Sequence, residues 1–311
     1  MQVVERTWVP AWPCAVGQTL AVLRHGPADP TVRFGAGVYW RGMRTPAGPA
    51  TLRLEVSAAD GGIRAAAWGA GAAWAVGAVP AMLGAEDDPS GFRPDRHPQV
   101  ARLAHHFPHL RLPRTGLVME SLVPAIIEQR VTGTEAFAGH RRLVHFYGER
   151  APGPGADLRL WVPPTPQTLA AIPSWQWLRL GIDPARSRTI VGAARVAPSL
   201  ERAAGVSAAD ADLRLRSLPG IGVWTSAETR MRSHGDADAV SFGDYNVARD
   251  VGWALTGKDG VDDDGLAELL EPFRPHRYRV QRLVELAGIR RPRRGARMPL
   301  RTHLPVAQRA Q

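Results

Sequence analysis

The stretch Leu218-Pro219-Gly220-Ile221-Gly222-Val223-Trp224-Thr225 decides the fold. Upstream of it, Ser207 can cap a helix that runs through Leu213 to Arg216 and stops at Leu218-Pro219-Gly220. Gly220 and Gly222 permit the backbone conformations that a tight reversal needs. From Val223 to about His234 the chain reads as a second helix. A glycine corner between two helices leaves the first amides of the second helix without intrahelical acceptors, and such amides can hold a phosphate. The pattern is that of a helix-hairpin-helix. Alone it implies only binding to a DNA backbone, with a plain corner between helices as the competing reading.

A second signal lies downstream. Asp244 sits in the short run Ser241-Phe242-Gly243-Asp244-Tyr245, just before a helix that begins near Asn246. Other motifs keep a fixed order around the hairpin. These are Leu110-Arg111-Leu112-Pro113, Ala125-Ile126-Ile127-Glu128-Gln129-Arg130-Val131, Tyr147-Gly148-Glu149-Arg150, Pro164-Thr165-Pro166-Gln167-Thr168-Leu169 and, after the Asp loop, Arg274-Pro275-His276-Arg277-Tyr278. On these residues the chain resembles the helix-hairpin-helix DNA glycosylase superfamily, and more narrowly the bacterial 3-methyladenine DNA glycosylase II type. The likeness covers residues 98 to 287 well and is faint over residues 1 to 97.

The resemblance implies an enzyme that breaks the bond between C1′ and a ring nitrogen of a base in DNA. Such a reaction gathers positive charge on the sugar, as in glycoside hydrolysis. A carboxylate beside C1′ stabilises that charge and orients or deprotonates a water. The resemblance assigns this role to Asp244; the plain alternative is a cap for the following helix. It also implies that the target base is extruded into a pocket. Gln129 and Arg130 would contact DNA: by the resemblance the wedge that fills the duplex follows Gln129, at Arg130, where the family often has an apolar residue, and simple phosphate contact by Arg130 is the alternative. Gly220, Ile221, Gly222, Val223 and Thr225 would hold the DNA backbone. Trp224 matches an aromatic pocket residue, whose face would attract a cationic alkylated purine. Tyr245 is expected to pack beneath Asp244. Glu228, one turn after Trp224, and Glu285 fall where family members carry aromatics, so they are expected to contact the extruded base. Backbone carbonyls of Arg216, Leu218 and Ile221 would bind a monovalent cation.

Bifunctional members also cut the backbone through a lysine amine. That lysine's place in the hairpin is taken here by Trp224, and the chain's only lysine is Lys258. The expected enzyme is therefore monofunctional, with an abasic site as product and without AP-lyase activity. Its expected targets are alkylated purines of the 3-methyladenine and 7-methylguanine kind. Two other readings stay open: a damage-sensing DNA-binding protein without catalysis, and a glycosylase for uracil, hypoxanthine or a bulky adduct.

Composition narrows the field in the same direction. The formal net charge is +10, almost all of the basic residues being arginine. Such a surplus favours a polyanionic partner, here double-stranded DNA. Cys14 is the only cysteine, which excludes an internal disulfide and a cysteine-ligated iron–sulfur cluster. No nucleotide-binding loop is evident, so no organic cofactor is expected. There is no long apolar run. The expectation is a cytoplasmic, nucleoid-associated monomer without a signal peptide or membrane contact.

Three regions are expected: an α+β domain with an antiparallel sheet over residues 1–97, an all-α bilobal helix-hairpin-helix region over 98–289, and a basic, disordered tail over 290–311. In the first region, Val16 to Leu23 reads as a short helix, and Thr31–Phe34, Val38–Trp40, Thr51–Val56 and Ile63–Trp68 read as strands. Leu52, Leu54 and Val56 alternate with Arg53 and Glu55, the period of a half-buried strand. The Ala- and Gly-rich run from Ala65 to Met82 carries no assignable period. In the second region, Val118, Leu122 and Ile126, with Met119, Val123 and Ile127, make a helix apolar on two sides, hence internal, and Pro124 should bend it. Thr165 and Asp183, each followed by Pro, are expected N-caps. Asp236 and Asp238 read as a solvated turn.

Overall fold

The computed structural model describes residues 2–57 and 61–292. The N-terminal part is a five-stranded antiparallel sheet of β1 (Val3–Trp8), β2 (Val32–Gly35), β3 (Val38–Thr45), β4 (Gly48–Val56) and β5 (Ile63–Trp68), in the order β1-β5-β4-β3-β2. Helix α1 (Val16–Leu20) continues as a single 3₁₀ turn to Leu23, and α2 (Ala72–Met82) follows β5. Strand β1 was not anticipated. It is an edge strand with mostly exposed side chains, so it lacks the apolar alternation that betrays an inner strand.

Along β4 the expected alternation holds for Leu52 and Leu54, both fully buried, but stops at Val56, which is exposed. The unassignable run resolves into β5 and α2. Ala65, Ala66 and Ala67 are all buried, because both faces of the sheet are covered. Apolar Ala75, Val79 and Met82 of α2 pack into the core on one side. On the other, a two-stranded ribbon, β6 (Glu149–Arg150) with β7 (Trp161–Val162), lies against β3. A Cβ on Gly42 would stand 2.3 Å from the Trp161 carbonyl oxygen, so this close approach requires glycine. Small residues on both faces erase any period.

The helices form two clusters. The first contains α4 (Val118–Ile127), α5 (Gly133–Tyr147), the short helices α7 (Pro166–Ala171) and α8 (Ser174–Arg179), then α9 (Pro184–Arg195), α10 (Ala197–Arg202), α11 (Ala208–Arg216) and α12 (Val223–Ser233), while the short α6 (Pro154–Asp157) packs on β3 of the sheet. Its core is α4, whose Val118, Leu122, Ile126 and Ile127 are buried, as the two-sided pattern predicts. The helix continues through Pro124. Thr165 and Asp183 cap α7 and α9 as expected. The second cluster joins α3 (Pro98–His106) to α13 (Val247–Thr256), α14 (Asp263–Leu270) and α15 (Arg277–Leu286). The chain thus enters one lobe at α3, builds the other, and returns. A buried ion pair of Arg279 Nη2 with Asp87 Oδ1 at 2.5 Å fixes α15 to the turn after α2. Of the tail, Arg290 and Arg291 lie within the described residues and both bond to Asp250 of α13, which corrects the expectation of disorder for these two. Residues 293–311 lie outside the described residues. Among the described residues no helix is long and apolar enough to cross a membrane.

Where the sheet meets the first cluster, His25 Nδ1 lies 2.9 Å from Glu128 Oε1, and the His25 ring lies 5.1 Å from that of His140. Asp29 accepts from the His25 amide. Burial pushes the His140 imidazole down to about 4 against the attraction of Asp29, with Glu128 nearby and His25 and His145 opposing protonation. The unfolded chain therefore binds a proton that the folded chain refuses between about pH 6.5 and 4. This contribution is complete above the unfolded pKa and is lost as pH falls through that window. Urea midpoints measured from pH 7 to 4 are expected to fall more steeply for the wild type than for His140→Gln.

Candidate active site

The hairpin forms as its residues dictate. Ser207 Oγ accepts from the Asp210 amide at 3.1 Å and starts α11. After α11 the Ile221 amide donates to the Leu218 carbonyl at 3.2 Å, closing the turn. Gly220 has φ +88°, and a Cβ there would stand 2.1 Å from Thr189 Oγ1. Gly222 has φ −94° and heads α12 without a side-chain cap. Gly222 and Val223 are exposed, so the positive end of α12 faces solvent with its first amides open. Ile221 and Thr225 are buried. Their side chains hold the turn from inside.

Gln129 ties the tip of α4 to the hairpin. Its Nε2 donates to the Gly220 carbonyl at 3.0 Å and to Thr225 Oγ1 at 2.8 Å. Arg130 follows, exposed, with φ +53°. A left-handed backbone at a non-glycine residue is strained, and such strain gathers at working sites.

Asp244 lies in a loop pinned at several points. The Gly243 amide donates to Asp263 Oδ2 at 2.8 Å, with Gly243 at φ +89°. The Asp244 amide donates to the Ser241 carbonyl at 3.1 Å. Asp244 Oδ1 accepts from the amides of Asn246 at 2.7 Å and Val247 at 3.1 Å, at the start of α13. The carboxylate is therefore a helix cap, but only through one oxygen; Oδ2 takes neither bond. A Cβ built on Gly243 would stand 3.9 Å from Trp224 Cβ. The carboxylate loop thus abuts the second residue of α12, next to the open hairpin amides.

A solved structure of similar shape is a 3-methyladenine DNA glycosylase from Archaeoglobus fulgidus, with a TM-score of 0.72 at 17% identity over 92% of this chain and 98% of that one. The chain has the helix-hairpin-helix DNA glycosylase fold. An 8-oxoguanine glycosylase/lyase from Clostridium acetobutylicum superposes with a TM-score of 0.67 at 11% identity, over 92% of this chain and 98% of that one. Among curated proteins, two Mycobacterium tuberculosis sequences described as probable bifunctional transcriptional activator/DNA repair enzyme AlkA are 31% identical over 152 residues. That match covers 48% of this chain, which spans only 30% of the length of those relatives. No protein-family model matches the chain.

Within this glycosylase fold the expected pocket residues separate. Trp224 is half-buried beside the Asp loop, with its indole Nε1 enclosed and unpartnered among the described residues. Tyr245 does not pack beneath Asp244: it is 68% exposed, with Arg249 4.6 Å above its ring. Arg249 lies four residues on, one helical turn, and draws the ring outward. Glu228 is buried, and both its oxygens are engaged, Oε1 by Ser241 Oγ at 2.5 Å and Oε2 by Arg232 Nη1 at 2.7 Å. Burial pushes its carboxyl up, opposed by Arg232. Glu285 accepts from Gln281 Nε2 at 2.9 Å and pairs with Arg282 Nη1 at 3.1 Å. Both acids are thus bonded into one network; Glu228 is buried in it, and Glu285 keeps 26% of its side chain exposed.

The bonds of Ser241 to Glu228 and Gln281 had no sequence signal, since they form only where α12, α15 and the loop after α12 meet, whereas Arg232, Gln281 and Arg282 stand three or four residues from the acids they bond, a spacing the sequence shows. Asp236 and Asp238 correct another expectation. Asp236 is buried against Arg230, and Asp238 receives the Arg277 amide and guanidinium at the head of α15. They hold helices and are not a solvated turn.

Proposed function

We propose that the protein is a monofunctional DNA glycosylase that extrudes and hydrolytically excises alkylated purines. The observation that carries this reading is the one-sided cap: Asp244 is anchored by Oδ1 while Oδ2 takes no part in the cap. A carboxylate held rigid through one oxygen stabilises the sugar cation with the other, with little reorganisation during the reaction. The bond from C1′ to the base nitrogen breaks, the electron pair leaves with the base, and water adds to C1′ and gives up one proton, to the Asp244 carboxylate and then to solvent. A cationic alkylated purine departs as a neutral molecule, so no strong general acid is needed. Trp224 would offer a ring to such a base.

The open amides of Gly222 and Val223 would receive a backbone phosphate. The same turn would hold a monovalent cation through the carbonyls of Arg216, Leu218 and Ile221. Leu218 O accepts one bond, from the Ile221 amide, and keeps a second lone pair for an ion. The ion would add positive charge near that phosphate. No amine takes the hairpin position of a lyase, and Lys258, the chain's only lysine, is exposed after α13.

Arg130 would enter the duplex where the damaged nucleotide leaves, stacking its guanidinium on the neighbouring base. Arg130→Ala is expected to slow excision roughly 10-fold from a paired lesion and much less from an unpaired one, because extrusion costs a few kcal/mol only when a pair must be broken. Single-turnover rates on the two duplexes measure this. The function itself is tested by incubating the protein with methylated duplex DNA and then heating in alkali. Breaks should appear only after alkali; breaks without it would reveal a lyase, and none at all would favour a DNA-binding protein. The charged network at Glu228 and Glu285, in place of aromatics, favours a second reading, a glycosylase for a different lesion. A panel with uracil and hypoxanthine duplexes separates the two.

A further inference from the structure

We propose that Glu228, Ser241 and Gln281 form a positioning relay that holds the Asp244 loop in register with the hairpin helix, a proposal resting on the reading of Asp244 above. Glu228 belongs to α12, Gln281 to α15, and Ser241 to the loop between α12 and α13. Every polar atom of the Ser241 link is engaged. Its Oγ donates to Glu228 Oε1 at 2.5 Å and accepts from Gln281 Nε2 at 3.0 Å, and its amide donates to Gln281 Oε1 at 3.1 Å. Its carbonyl accepts from the Asp244 amide at 3.1 Å. Ser241 thus fixes the first turn of the loop from one end, while Asp244 Oδ1 fixes the other end on α13.

The relay is charge-balanced and closed. Glu228 pairs with Arg232, and Glu285, bonded to the same Gln281, pairs with Arg282. Each arginine also reaches the N-terminal segment. Arg232 Nε donates to the Val22 carbonyl at 2.9 Å and Arg282 Nη2 to the Gln18 carbonyl at 3.1 Å. Glu228, Ser241, Gln281, Arg232 and Arg282 are all buried or nearly so. A buried network with its members satisfied has one low-energy arrangement, which makes it suited to hold a loop in place. The two acids therefore act on the reaction through Asp244 and are positioning residues.

The test uses Ser241→Ala, which removes the hydroxyl, and Gln281→Met, which keeps the volume and removes both amide atoms. Each is expected to lower the single-turnover excision rate roughly 10- to 100-fold, the scale of a misplacement near 1 Å. Affinity for a duplex carrying a tetrahydrofuran abasic analogue should stay within about 3-fold of wild type, since the hairpin is untouched. Hydrogen exchange at the Asn246 and Val247 amides should quicken in both variants. The double variant should be no slower than the slower single one, because both cut the same link. Unchanged rate and exchange, or a rate loss matched by an equal loss of binding, would overturn the relay. Additive losses would overturn it too. If the wild type excises nothing while exchange still responds, the glycosylase reading fails and the relay stands as a structural link; if Asp244→Asn keeps full activity, the protein is still a glycosylase, but the relay positions no catalytic group and the proposal falls.

Discussion

Asp244→Asn is expected to lower base excision by about 10²–10³-fold, or roughly 3–4 kcal/mol of transition-state stabilisation, with damaged-DNA binding retained. The size follows from removing a full negative charge beside a forming sugar cation. The retention follows from the cap. Asn is as good an N-cap as Asp, and its carbonyl oxygen can accept from the Asn246 and Val247 amides as Oδ1 does. The thermal midpoint should therefore barely move. A helix cap with no chemical role would give the opposite result, full activity in the Asn variant. Alkali-sensitive breaks in methylated duplex and a thermal melt, measured on the same preparation, separate the two roles that this carboxylate combines.

Gly220→Ala is the second large effect. Gly220 sits at φ +88°, where a Cβ is strained by about 1–3 kcal/mol, and that Cβ would stand 2.1 Å from Thr189 Oγ1. Thr189 cannot yield cheaply. It is β-branched, and its hydroxyl donates to the Ala185 carbonyl at 3.1 Å within α9. The Gly220 carbonyl also receives Gln129, so a shifted turn disturbs the tip of α4 as well. A fall in thermal midpoint on the order of 5–10 °C is expected, with duplex affinity reduced roughly 30-fold or more at fixed salt. Gly222→Ala is the matched contrast. Its φ is −94° and nothing lies within 4 Å of a Cβ there, so its midpoint should stay close to wild type. Equal destabilisation by both substitutions would mean that the turn does not depend on the left-handed glycine.

The hairpin was legible in the sequence because its determinants are local: a serine cap, a glycine that takes the positive φ, and a second helix that starts at Val223, just after Gly222. The same holds for α4, whose apolar residues recur on two sides, and for the caps at Thr165 and Asp183. The cap formed by Asp244 was legible because it stands before a helix; its candidacy for chemistry came from the resemblance and not from the local pattern. What failed depends on residues far apart in the chain. The alanines of β5 carry no period because both faces of the sheet are covered, one by α2 and the other by the β6–β7 ribbon. Glu228 and Glu285 read as facing a base; Ser241, which joins them into one network, meets Glu228 and Gln281 only when α12, α15 and the loop between α12 and α13 pack, while Arg232, Gln281 and Arg282 were within one turn of the acids and could have signalled paired carboxylates. Tyr245 is a further local case, since Arg249, four residues on, lies over its ring.

The central claim is that one carboxylate oxygen of Asp244 faces the sugar of an extruded nucleotide while the other caps α13. A crystal structure with a duplex containing a tetrahydrofuran abasic analogue tests it most directly. The account predicts the C1′ position within about 4 Å of Oδ2, a phosphate on the Gly222 and Val223 amides, and both Oδ1 bonds intact, a near-attack geometry. A duplex bound across another face, or an abasic sugar held away from Asp244 with the hairpin amides unoccupied, would contradict it.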